Sequence, residues 1–119
     1  CQTYEVGEMG LYIITGCYTA EAAKGLINRP SDREAAVRPL IAAGGGKLIS
    51  FLITTGETDF SMVVETDDME GMMASLIVAG ATGTVSNLKT VQAFTSAQFL
   101  AAQKKAGQIT AKFKAAGQG

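Results

Sequence analysis

The sequence contains no histidine and no tryptophan, only two prolines and two cysteines, and charged residues fill just 18% of its 119 positions. Without histidine there is no imidazole general base, no serine–histidine triad and no proximal-histidine haem site. A zinc centre would have to combine carboxylates with the two distant thiols Cys1 and Cys17, which matches none of the usual ligand spacings, so no metal or cofactor is expected. Two cysteines do not make a disulfide framework; as a pair of reduced thiols they fit a cytoplasmic setting. No run approaches the roughly 20 apolar residues of a membrane span. With a net charge of −1, nothing draws the chain to nucleic acid or to an anionic membrane. Dinucleotide and phosphate-loop fingerprints are missing too. Gly44-Gly45-Gly46-Lys47 precedes a strand pattern rather than a helix, so it reads as a helix stop.

What is present is 47% apolar residues arranged in clear periods. Two β-branched runs, residues 48–55 and 60–66, flank the short turn Gly56-Glu57-Thr58-Asp59, which is a β-hairpin signal. Ahead of it, residues 11–18 read as a strand whose apolar residues do not alternate cleanly, which implies burial on both faces. Gly16 inside that strand marks a bulge or a close backbone approach. Thr19 caps a short helix over residues 20–27, which Asn28-Arg29-Pro30 ends. Ser31-Asp32-Arg33-Glu34 is a capping box that opens a second helix, and Pro39 should kink or shorten it.

After the hairpin, Asp67-Asp68-Met69-Glu70 is a variant capping box. Met69, Met72, Met73, Leu76, Ile77 and Gly80 follow at helical spacing as one core stripe rather than a methionine metal box. Residues 84–94 form a fourth strand. Thr95-Ser96-Ala97-Gln98 is a third capping box, opening a helix with Phe99, Ala102, Ala106, Ile109 and Phe113 three or four residues apart. Lys104, Lys105, Lys112 and Lys114 solvate its outer side, with no interleaved aromatics to suggest nucleic-acid binding.

The order predicts an α+β, ferredoxin-like βαββαβ fold: a four-stranded antiparallel sheet with helices on one face, plus a C-terminal helix. Residues 1–10 are expected to be an extension, 11–114 a single domain and 115–119 a fraying tail. Strand two carries Leu48 and Leu52 on one side and Ile49, Phe51 and Ile53 on the other. A sheet covered on one face should not be apolar on both, so the open face is expected to be buried in a homo-oligomer, a dimer or higher.

The residues Gly45-Gly46-Lys47, Ser50-Phe51, Gly56-Glu57-Thr58-Asp59, Val63-Val64-Glu65 and Asp67-Asp68 resemble the GYD-domain family, whose hairpin turn carries a Gly-x-Tyr-Asp motif. The resemblance continues through Gly80, Gly83, Val85, Thr90 and Ala93-Phe94-Thr95, over roughly residues 11–100. One departure is plain: Thr58 stands at the tyrosine position, so no role of that phenol carries over. The resemblance implies a dimeric α+β barrel, two ferredoxin-like sheets closed face to face around a cavity. Relatives in that superfamily include cofactor-independent monooxygenases, isomerases and haem enzymes, while the GYD family itself implies a fold more than an activity.

Candidate residues follow from side-chain chemistry. Tyr18, Glu57 and Asp59 are the candidates for catalysis, Asp59 as a base and Tyr18 as a proton donor to a carbonyl or phenolate. The plainer role of Asp59 is to fix the turn by accepting bonds from backbone amides. Tyr12, Cys17 and Phe51 are candidates for lining a ligand site, with packing or interface roles as the alternative. Cys17 has no histidine or obvious cation to activate it, and Glu65 has Lys47 or Lys89 as a surface partner. The expected function is a homo-oligomer that binds a small apolar or aromatic molecule, or a partner protein, through a sheet-lined cavity. Two further readings are a cofactor-free oxygenase or isomerase and a trimeric regulatory module.

Overall fold

The computed structural model describes residues 9–113 and Gly117. The expected N-terminal extension, apart from its last two residues, and nearly all of the expected tail lie outside those described residues. Four strands, β1 (Gly10–Tyr18), β2 (Lys47–Ile53), β3 (Phe60–Thr66) and β4 (Val85–Ala93), form one sheet in the order β2-β3-β1-β4. Every pairing is antiparallel. With helices between β1 and β2 and between β3 and β4, this is the ferredoxin-like arrangement that the element order predicts.

The helices are α1 (Ala20–Asn28), α2 (Arg33–Ala43), α3 (Met69–Ala81) and α4 (Ser96–Thr110). Thr19 caps α1 by accepting from the amide of Ala22 at 3.2 Å. The helix ends where Pro30 forces Arg29 out of helical angles, at φ −141°. Two N-caps sit one residue later than the sequence pattern suggests. Asp32 rather than Ser31 caps α2, accepting from Ala35, and Asp68 rather than Asp67 caps α3, accepting from Gly71. In both, a carboxylate competes with a neighbouring cap-former and wins at the helix's positive end. Ser31 accepts instead from the Arg33 guanidinium, and Glu34 pairs with Arg38 on the surface of α2. Pro39 does not shorten α2, which runs from Arg33 to Ala43 with the proline inside it. Gly44-Gly45-Gly46 stops that helix by paired bonds, Gly46 N–H to Ile41 C=O and Gly45 N–H to Ala42 C=O. This needs the left-handed angle that Gly45 supplies, φ 87°.

Alternation along β1 and β3 sends Ile14, Phe60, Met62, Val64 and Thr66 beneath the helices. There all of these but Thr66 join Ile41, Leu48 and Met72 in one apolar core. Ile14 and Val64 are completely enclosed, each burial contributing about 1.5–3 kcal/mol. The opposite face presents Leu11, Ile13 and Val63, half-buried, with Leu52 and Val91 exposed beside them. Among the described residues no element lies over that face.

Strand β2 departs from the simple alternation. Its register against β3 shifts between Leu48 and Ser50, making Ile49 an extra, exposed residue. Beyond that bulge Phe51 and Ile53 align with Met62 and Phe60, on the same side as Leu48, while Leu52 aligns with Ser61 on the open face. The expected split of these residues is therefore reversed after position 49, because one inserted residue inverts a period-two pattern.

The apolar stripe of α3 also divides. Met72 and Ser75 are buried and Leu76 packs on the core, but Met69, Met73 and Ile77 face outward. Nothing on the helix except Glu70 is charged, so it has no polar side to give it away. α2 and α3 touch at glycine: a Cβ on Gly71 would sit 2.0 Å from the carbonyl oxygen of Gly44. Finally, α4 runs clear of the body, with no buried residue along its length. The molecule accordingly measures 66 × 40 × 22 Å with a radius of gyration of 18.9 Å, against about 13–14 Å for a compact chain of this length. Among the described residues no helix is long and apolar enough to cross a membrane.

Candidate functional site

The C-terminal end of β1 gathers most of the candidate residues. At Gly16 the chain passes so close to its neighbours that a Cβ would meet Phe60 at 2.6 Å and Leu88 at 2.8 Å. Opposite this point the register with β4 shifts, and Asn87 takes up a left-handed conformation, φ 53°. A close approach and a strand bulge thus both sit where Gly16 in the sequence signalled one or the other.

The hairpin turn is bolted to the same point. The amide of Asp59 donates to the carbonyl of Gly16 at 2.8 Å, and the Asp59 Oδ2 accepts from the amide of Tyr18 at 2.9 Å. Within the turn, Thr54 Oγ1 donates to the carbonyl of Thr58 at 2.8 Å, and Gly56 holds φ 104°. Asp59 therefore does bind backbone, but the amide it holds belongs to β1 and not to its own hairpin. The Cys17 thiol donates to the carbonyl of Glu57 at 3.3 Å, and Asn87 Nδ2 lies 4.0 Å from the same sulfur. The Glu57 side chain is exposed.

Tyr18 and Cys17 leave the strand on opposite sides. Tyr18 points under the helices, packs its ring 5.3 Å from that of Phe60, and through Phe60 connects to Phe51, whose stacked ring is 5.9 Å further on. Two cavities open on this side. One of about 380 Å³ lies between α1, the α1–α2 corner and β1, lined by Tyr18, Ala22, Leu26, Arg29, Ser31 and Arg33 among others. A smaller one of about 130 Å³ continues inward from Tyr18 and Arg33 to Phe51, Phe60 and Leu88. Burial pushes the Tyr18 phenol above its ordinary pKa, Arg33 pulls it back by charge and hydrogen bonding, and the Asp59 charge adds to the rise. The phenol is therefore a neutral hydrogen-bond donor at pH 7, at the wall of a cleft with two guanidinium groups.

Tyr12 does not belong to this group. Six residues back along β1, about 20 Å away, it packs on the core with its ring against Gly10. So the fold unites Tyr18, Asp59, Glu57 and Cys17 directly, and Phe51 through an aromatic chain. Arg29, Arg33 and Asn87 complete the surroundings. Sequence reasoning passed over all three; the one signal was an asparagine inside a strand pattern, since asparagine tolerates left-handed angles. Among the described residues no three histidines, cysteines, aspartates or glutamates cluster so as to hold a metal ion.

No curated protein and no solved structure shows significant similarity to the chain. The family model described as the GYD domain, however, matches residues 12–102, from β1 through the first half of α4. That span contains all of the sheet but the first two residues of β1, with the hairpin and the Gly16–Asp59 junction, and the chain belongs to the GYD-domain family.

Proposed function

We propose that the protein works as a homo-oligomer whose subunits meet through the open face of the sheet and enclose a small apolar or aromatic molecule there. One observation carries this reading. Leu11, Ile13, Val63, Leu52 and Val91 form an apolar patch, broken only by Ser50, Ser61 and Thr15, on a face that no described part of the chain covers, while Lys47, Glu65 and Lys89 stand at its margins. An apolar centre inside a charged rim is the anatomy of an association surface. Cys17, on the same face as Leu11 and Ile13, supplies a soft, weakly polar group at one end of it.

The test is native mass spectrometry of the protein from its source beside a Val63→Glu variant, with circular dichroism as a control for folding. The expected result is a parent dimer or higher assembly carrying a small extra mass. The variant should keep its fold, run as a smaller species and lose the ligand. A parent that stays monomeric at tens of micromolar, or a variant that assembles as the parent does, would sink the proposal.

A second reading, a cofactor-free enzyme, draws on the Tyr18 cleft. A neutral phenol beside Arg33 in about 380 Å³ is suited to hold a carbonyl or carboxylate by hydrogen bonding. Under this reading Tyr18→Phe abolishes turnover of a bound carbonyl compound without changing the assembly. Unchanged turnover in that variant would remove the reading.

A further inference from the structure

We propose that α4 is an exchanged arm, packing antiparallel on the outer side of α3 in a second copy of the chain. This rests on the same self-association as the proposed function but uses a different surface. The starting point is that α4 stands alone. Fifteen residues of helix are marginal in water by themselves, yet α4 leaves Phe99 64% and Ile109 65% exposed, and Phe113 just beyond it is equally bare. Phe99, Ala102, Ala106, Ile109 and Phe113 recur every three or four residues, so they lie along one side of the helix, with Lys104, Gln108 and Lys112 across from it.

The counterpart is the outer side of α3. Met69, Met73 and Ile77 are spaced by four residues, are 42–71% exposed, and run beside Gly80, over which there is open space. The two helices match in length, about 22 Å for α4 and about 20 Å for α3. They also match in relief. Laid antiparallel, the aromatic Phe99 falls toward the Ile77–Gly80 end, the small Ala102 and Ala106 oppose Met73, and Ile109 reaches Met69, so large groups meet small ones.

Charge selects both the direction and the partner. Every acidic residue precedes position 95, and residues 95–119 carry four lysines and no carboxylate. Three of those lysines, Lys104, Lys105 and Lys112, lie in or after the middle of α4, while Asp67, Asp68 and Glu70 surround the start of α3. An antiparallel pairing brings these groups together; a parallel one separates them. The arm cannot reach its own α3 in the antiparallel sense. The register puts Ala93 beside Leu11 and Thr66 beside Gly10, so β4 ends and α3 begins at the same edge of the body. Folded back, α4 would run parallel to its own α3. Only another copy offers the opposite direction, and the Thr95–Gln98 capping box, with both reciprocal bonds formed, fixes the departure of the arm after β4.

Site-directed cross-linking in the full chain tests this, with Cys1 and Cys17 changed to serine. Chains carrying Met73→Cys are mixed with chains carrying Ala106→Cys and oxidised, and native mass spectrometry reports the assembly of the same samples. The expected result is a disulfide-linked dimer in the mixture and in neither variant alone. A double variant that closes into a cross-linked monomer would overturn the proposal in favour of a folded-back arm. An intact oligomer with no cross-link in the mixture would overturn the arm exchange and leave the sheet-face reading standing. The cross-link persisting in a Val63→Glu background that remains dimeric would support the arm and remove the sheet interface.

Discussion

The two faces of the sheet both carry branched apolar side chains and meet different fates. Ile14, Met62 and Val64 lie beneath α1–α3 and are lost to solvent, while Ile13 and Val63, one residue away along the same strands, are only half-buried by their neighbours. Strand alternation gives both sides a branched apolar surface, but the chain has helices enough for one. What separates core from surface here is coverage, not residue type. A monomer built this way keeps a second hydrophobic surface in reserve, in contrast to the usual sheet with one polar side.

The sharpest way to break that contrast is to truncate neighbours on β1. Ile14→Ala should lower stability by about 2–5 kcal/mol, whereas Ile13→Ala, measured by urea denaturation at concentrations too dilute for association, should cost less than about 1 kcal/mol. Equal losses would mean that the open face is covered within one chain. On the helix side, Gly71→Ala forces a methyl group into the carbonyl of Gly44 and should cost about 1–3 kcal/mol. The same substitution at Gly80, whose Cβ position is open, should be neutral or stabilising in the isolated chain; thermal melts of the pair check this.

At the junction of the two faces, Asp59→Ala strips the Tyr18 amide of its acceptor and should cost about 1–2 kcal/mol, with Asp59→Asn recovering most of it. Failure of the asparagine variant to rescue would assign the effect to charge. The smallest expected effect is titrational. The Tyr18 pKa is raised on folding, so the native state holds the phenolic proton more tightly than the unfolded chain. Its contribution is complete below the unfolded pKa near 10 and is lost as pH rises past it toward the native value. Tyr18→Phe should therefore flatten the fall in stability above about pH 10, which denaturation at stepped alkaline pH would reveal.

Much of this was legible in the sequence where local signals act alone. Thr19 and the Thr95–Gln98 box cap their helices as their spacing indicates. The glycine-rich 44–46 segment stops α2, and the order of elements yields the sheet. Reading failed where two signals compete or none exists. Adjacent cap-formers, Ser31-Asp32 and Asp67-Asp68, left the choice between them to geometry. A bulged residue such as Ile49 leaves no mark in composition, yet it reverses every side chain after it. The apolar girdle of α3 offered no polar side from which to tell inner methionines from outer ones. The site was harder still. Asp59 was recognisable as a backbone-binding residue, but the amide it serves is 41 residues away, and Arg33 joins Tyr18 only once α2 has been laid over the sheet.

The position of β1 has a temporal consequence. It is the first of the described strands, yet it lies between β3 and β4, so neither of its edges is satisfied until the hairpin has formed, and one stays open until β4 arrives. A chain emerging from the ribosome carries Leu11-Tyr12-Ile13-Ile14 with at least one edge open while some 70 further residues are made, several seconds at ordinary elongation rates. With such long-range pairings the sheet belongs among the slower folders of its size. Its oldest segment is the last to be finished.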